Sequence, residues 1–202
     1  MENKTTKGTR SMVELALMSA IIIVMAMTPL GYLKTPVLSI TLLTIPVAVG
    51  SIILGPKGGA FLGAVFGATS FAQAVSGGGG MTAILFQTNP LGVTFLCFVP
   101  RILEGFLCGL IFAIFKKTKL KKAAYYIAGI SCPVLNTVLF MGTVITLFYK
   151  TDYIQTLVTT LGVTDPLAFV AALVGIQGII EAAVCGVLAG TVSLTLAKVF
   201  KR

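Results

Sequence analysis

Residues 91–122 read LGVTFLCFVPRILEGFLCGLIFAIFKKTKLKK, an apolar run broken only by Arg101 and Glu104 and closed by a block of five lysines. A stretch of this length without more charge is long enough to cross a hydrocarbon core of about 30 Å as a helix. The basic block that ends it marks a membrane surface. Moving outward, apolar runs of the same kind fall at 12–28, 42–55, 58–75, 123–149 and 166–197. The chain therefore reads as an all-α membrane protein, one six-helix transmembrane domain over residues 1–202. The second run is the least secure: it crosses upright only if residues 37–41 extend it, and Pro36 and Gly55-Pro56 bound it.

Composition agrees. Of 202 residues, 56% are hydrophobic and 10% charged, against roughly 25% charged in a soluble domain. No histidine is present, which excludes histidine metal sites and Ser/His or Cys/His relays. The four cysteines, Cys97, Cys108, Cys132 and Cys185, lie in apolar runs without C-x-x-C spacing and read as small hydrophobes. The only aspartates, Asp152 and Asp165, fall in the connection 150–165, so intramembrane proteolysis by paired aspartates is excluded. Neither GPKGG at 55–59 nor SGGGG at 76–80 is followed by Lys-Ser/Thr at Walker A spacing, so the chain is not expected to hydrolyse ATP. No enzyme activity, metal or cofactor is expected.

The net charge of +9 is explained by topology. With six spans, Lys4, Lys7, Arg10, Lys57, Lys116, Lys117, Lys119, Lys121, Lys122, Lys198, Lys201 and Arg202 share one side, facing only Lys34 and Lys150 on the other. The positive-inside rule then places both termini in the cytoplasm, beside anionic lipid, and no nucleic-acid partner is needed. Residues 1–11 are polar and lead into a long span without a small-residue cleavage site, so no cleaved signal peptide is read.

Two segments interrupt the pattern. In GPKGGAFLGAVFGA at 55–68, Gly59, Gly63 and Gly67 recur four apart on one face with Ala60, Ala64 and Ala68 beside them, a spacing that lets helix backbones approach closely in lipid. In SGGGGMTAILFQTNP at 76–90, four consecutive glycines predict a mobile outer loop, either a gate or a tether.

A charged side chain at the centre of a membrane helix costs roughly 2.5–3.5 kcal/mol on insertion scales, so each one needs a partner or a purpose. Counting about 1.5 Å per residue from the basic ends, Arg101 lies about 22 Å up, Asn136 about 21 Å and Glu181 about 26 Å, with Gln177 one turn higher. Polar groups from three helices thus converge in the outer half of the membrane. That arrangement suits a pocket open to the outside, with Arg101 gripping an anion through its planar fork. The alternative is a structural network in which Arg101 pairs with Glu104 or Glu181 and Asn136 bonds a neighbouring backbone. A stand-alone transporter, proton-coupled through Glu104 or Glu181, is a further alternative, although the two related halves usual in such proteins are not evident.

The runs IPVAVGSIILGPKGGAFLGAVFG at 45–67 and CFVPRILEG at 97–105, the pair Asn136-Thr137 and GIIEA at 178–182 resemble the substrate-binding S components of energy-coupling-factor (ECF) vitamin transporters, in particular the pantothenate-type branch. The resemblance covers nearly the whole chain. It implies a subunit that captures a vitamin from outside and docks onto a shared ECF transmembrane subunit carrying two ATPases, toppling to release its cargo. The implied substrate-binding residues are Arg101, Asn136, Gln177 and Glu181, with Asn89 from the outer connection. The resemblance also implies a docking face at Ala16 and Ala20 in VELALMSAIII. This chain departs from the branch at Gln177-Gly178, where Asn-Gly is usual, and in its glycine-rich outer loop. The absence of tryptophan argues against a thiamine-type pocket of stacked indoles.

Overall fold

With no water in the hydrocarbon, a spanning segment satisfies its backbone internally, and apolar runs of this length do so as helices. The computed structural model describes residues 4–29, 31–34, 39–118 and 121–199. Its elements are α1 (Lys4–Met27), β1 (Tyr32–Lys34), β2 (Ser39–Thr41), α2 (Thr44–Val75), α3 (Met81–Thr88), α4 (Pro90–Phe115), α5 (Ala123–Phe148), α6 (Asp152–Thr160) and α7 (Pro166–Val199). Among the described residues five helices are long and apolar enough to cross a membrane: Gly8–Met27, Thr44–Val75, Pro90–Phe115, Ala123–Phe148 and Gln177–Val199. Of the charges read from the sequence, Lys119, Lys201 and Arg202 lie outside the described residues, as do Pro36, residues 37–38 and the side chains of Lys4, Lys7 and Lys34.

The expected second and third spans form the single element α2, which breaks at Gly55 (φ 81, ψ −175) just before Pro56. The two arms fold back on each other. The Leu62 side chain lies against Gly50, and a Cβ on Gly59 would strike Ser51 Oγ, whereas residues 50 and 62 of a straight helix would stand about 18 Å apart. Glycine is required at the break because a positive φ is strained for other residues. The first arm, residues 44–54, rises only about 16 Å. The expected helical extension over 37–41 does not occur where the chain is described: residues 39–41 are β2, paired antiparallel with β1 in the register Tyr32↔Thr41 and Lys34↔Ser39. The all-α class holds, with this one short strand pair beside the helices.

The small-residue face does what its spacing predicts. A Cβ on Gly63 would collide with the Arg101 carbonyl, one on Gly59 with that of Gly105, and one on Gly67 would sit 2.7 Å from that of Cys97. The second arm of α2 and α4 therefore run antiparallel, backbone to backbone. A similar contact joins α5 to α7, where a Cβ on Gly129 would lie 2.7 Å from the Gly186 carbonyl. The sequence reading missed this pair, although Gly186 and Gly190 on α7 repeat the same four-residue spacing.

Two apolar clusters fill the bundle. Ile22, Val47, Leu62, Phe66, Cys108, Phe112 and Tyr125 pack toward the basic end. Leu85, Val93, Leu96, Val144, Phe148, Ile154 and Phe169 pack toward the opposite end. The connections 76–90 and 150–165 each contain a short helix, α3 and α6, whose Leu85, Ile154 and Val158 seal the second cluster. Within the glycine run, Gly77 (φ 80) and Gly80 (φ 57) adopt left-handed backbone, so two of the four glycines shape a defined turn.

Candidate functional site

Arg101, Glu104 and Glu181 are buried at 6%, 0% and 5% exposure, in the layer between the two clusters. The geometry around Arg101 begins with its neighbour. Pro100 has no N–H and cannot donate to the carbonyl four residues back, which leaves Leu96 O open inside the helix. Arg101 fills that vacancy, its Nη1 donating to Leu96 O at 2.6 Å. Its Nη2 donates to Ser70 Oγ at 3.3 Å. The guanidinium lies between two aromatic rings, 5.3 Å from the Phe66 centroid and 4.7 Å from that of Phe140, where cation–π attraction offsets part of the cost of burial. Nε has no hydrogen-bond partner among the described residues.

The alternative, a structural ion pair to Arg101, is not formed among the described residues. Among the described residues no carboxylate lies within ion-pair distance of Arg101, and Arg10 with Glu14, 3.0 Å apart on α1, forms the salt bridge found there. Glu104, one turn toward the basic end, accepts instead from Cys132 Sγ at 3.6 Å. Asn136 stands one turn from Cys132 and one from Phe140 on α5, so these three share the face that looks at Arg101 and Glu104.

The chain between β2 and α2 enters the same layer. Cys132 Sγ donates to Thr44 O at 3.7 Å and Cys185 Sγ to Thr41 O at 3.7 Å. The Thr41 amide donates to Glu181 Oε2 at 3.3 Å. Non-helical backbone at membrane depth is tolerated only where protein buries it or where it lines a cavity. The first arm of α2 starts here, with Leu43 as its cap residue and no side-chain cap bond, so the positive end of its dipole is directed into the site.

The sequence-derived residues are thus partly gathered. Arg101, Asn136 and Glu181 belong to this layer, and Gln177 lies half-buried one turn beyond Glu181 on α7. Asn89 is elsewhere: it caps α4, its Oδ1 accepting from the Gly92 amide at 2.9 Å, and it is exposed. Ala16 and Ala20 are exposed on α1, with Met12, Val13, Leu17 and Val24 at 57–72% exposure around them. The sequence reading missed Ser70, Phe66, Phe140 and the Thr41–Thr44 backbone. Proline immediately before the arginine was the one signal available for the Leu96 contact. Three oxygens of the layer, Glu104 Oε2, Asn136 Oδ1 and Glu181 Oε1, are buried without a hydrogen-bond partner among the described residues. Leaving such groups unmade costs about 1–3 kcal/mol each, and a bound solute would satisfy them. Among the described residues no cluster of three His, Cys, Asp or Glu side chains could hold a metal ion.

Comparison with known proteins bears on the same region. Residues 10–193 match the family described as ECF transporter, substrate-specific component. The chain is 36% identical over 98 residues to the pantothenate transporter PanT of Leuconostoc mesenteroides, covering 46% of each protein. It is 36% identical over 121 residues to the pantothenic acid transporter PanT of Lactococcus lactis subsp. cremoris, covering 55% of this chain and 59% of that one. The matched stretches thus span about half the length of these relatives.

Proposed function

The chain belongs to the family of substrate-specific components of ECF transporters, and from that premise we propose that it is the vitamin-binding subunit of an ATP-driven importer, with pantothenate as its vitamin. The observation that carries the substrate is the inventory of unsatisfied groups. One cationic donor, Arg101 Nε, and three acceptors, Glu104 Oε2, Asn136 Oδ1 and Glu181 Oε1, are buried together. Pantothenate presents the complement: one carboxylate, and three donors in its two hydroxyls and its amide N–H. A charge-assisted bond from arginine to carboxylate is among the stronger hydrogen bonds, and the α2 dipole adds to the attraction for an anion. The names of the two relatives agree with this substrate.

In this reading the short first arm of α2 crosses together with residues 39–43 that lead into it, for six crossings in all, and the lysine-rich end with both termini faces the cytoplasm. The site then opens outward beneath α3 and α6. Release inward requires the shared ECF transmembrane subunit and two ATPases, with Ala16 and Ala20 at the docking face. Asn89 and Gln177 contribute from the rim of the pocket.

The test is thermal melting of the detergent-purified protein with pantothenate and with its alcohol analogue, in which a hydroxymethyl group replaces the carboxylate. A ligand that binds only the folded state raises Tm by mass action. Pantothenate should raise it and the alcohol should not. An equal response to both, or none to either, overturns the assignment.

A further inference from the structure

At the basic end the structure holds a groove of about 400 Å³ lined by Lys116, Lys121, Tyr125, Leu194, Ala197 and Lys198. It lies at the far end of the bundle from the vitamin site and takes no part in the function proposed above. Three of its six lining residues are lysines, contributed by the end of α4, the connection to α5 and the end of α7, and none is acidic. The carboxylates of the described chain are placed elsewhere: Glu104 and Glu181 are buried in the site layer, Glu14 pairs with Arg10, and Asp152 and Asp165 flank α6. Among the described residues no carboxylate therefore lines the groove beside these lysines.

A small crevice of about 30 Å³ adjoins it, lined by Ile52, Ile53, Phe112 and Leu196 and sharing Lys116, Tyr125 and Ala197 with the groove. A groove at a membrane surface that sets three lysines beside Tyr125, Leu194 and Ala197 is amphipathic in the sense of a lipid. A soluble anion would use only the lysines.

We propose that this groove is a binding site for an anionic phospholipid of the cytoplasmic leaflet, its phosphate held by Lys116, Lys121 and Lys198 and its glycerol end lying against Tyr125, Leu194 and Ala197. Basic pockets between helices on this side of a membrane are suited to such headgroups. The proposal rests on the orientation argued above. Failure of that orientation is read separately, by the reagent accessibility of a cysteine placed at Lys57 in sealed vesicles.

The test is the melting temperature of the full chain in mixed micelles of neutral detergent with phosphatidylglycerol, with phosphatidylcholine, or with inorganic phosphate at matched concentration. Phosphatidylglycerol should raise Tm above the phosphatidylcholine value, and phosphate should leave it unchanged. The triple variant Lys116→Gln, Lys121→Gln, Lys198→Gln should lose that difference. The matched variant Lys57→Gln, Lys117→Gln, Lys122→Gln, which removes equal charge outside the groove lining, should keep it. Should the groove variant fail to fold, the arginine triple at the same positions serves in its place and should retain the lipid response. Equal loss in both glutamine triples reduces the effect to diffuse surface attraction and overturns the site. Stabilisation by phosphate alone makes the groove a soluble-anion site. No preference for phosphatidylglycerol leaves it to an acidic segment of a partner protein. Either result overturns the lipid assignment.

Discussion

Arg101 donates to the carbonyl of Leu96, the acceptor that Pro100 leaves open within α4. The proline thus does more than bend a helix: it creates the anchor that aims the guanidinium away from the basic end, between Phe66 and Phe140. Replacing it tests that link. Pro100→Ala supplies an N–H that competes for Leu96 O, so stability should hold or rise, since proline is disfavoured in a helix interior. Pantothenate affinity should fall several-fold as Arg101 loses its tether. Melting curves with and without the vitamin separate the two effects, and unchanged affinity would show that the Leu96 contact is dispensable.

Arg101→Lys keeps the charge and discards the planar fork. It cannot serve Leu96 O, Ser70 and a carboxylate together, so binding should weaken markedly, and Arg101→Ala should abolish it while leaving a folded protein. The contrasting account, a buried structural pair with Glu104 or Glu181, requires Arg101→Ala to unfold and Arg101→Gln with Glu181→Gln to restore stability. The geometry favours the first outcome, because no carboxylate lies within ion-pair distance of Arg101 among the described residues. Circular dichroism and calorimetric titration of the three variants decide it.

Asn136 Oδ1 is one acceptor among several. Asn136→Ala should cost about 1–2 kcal/mol of binding, as one hydrogen-bonding group does. Glu181→Gln retains an acceptor oxygen, and the bond from the Thr41 amide should survive it with a smaller loss. Titration calorimetry measures both, and a neutral Asn136→Ala would place the ligand away from α5.

Ala16 and Ala20 are exposed on a helix whose apolar side chains are largely uncovered. A leucine at either position would hold two backbones apart where small residues permit close approach. Ala16→Leu and Ala20→Leu should therefore block uptake of radiolabelled vitamin in cells while leaving binding by the purified protein intact. Full uptake by both variants would move the docking face elsewhere.

The glycine turn separates two roles by position. Gly77 and Gly80 carry positive φ, so alanine at either should destabilise by about 1 kcal/mol. A Cβ at Gly78 meets nothing closer than 3.8 Å, and Gly78→Ala should leave stability unchanged. If the turn also gates the site, Gly78→Ala should slow association by stopped-flow fluorescence; unchanged kinetics would make it a tether.

Much of this protein is written along the chain. Apolar runs of membrane length and the Gly59, Gly63, Gly67 face are local patterns, and they follow from a backbone that lipid cannot solvate and from helices that must pack closely without water. The same reasoning singled out Arg101, Asn136 and Glu181, since polar groups inside apolar runs are expensive wherever the fold puts them. Tertiary structure decided what those groups touch. The reversal of α2 at Gly55, the descent of Thr41–Thr44 to Glu181 and Cys132, and the seating of Arg101 between Phe66, Ser70 and Phe140 all join residues distant in sequence. It also set Asn89 as the cap residue of α4, outside the buried layer. Periodicity reports which face of a helix is apolar; the choice of neighbour depends on the angle and depth at which whole helices meet, and no single segment encodes those.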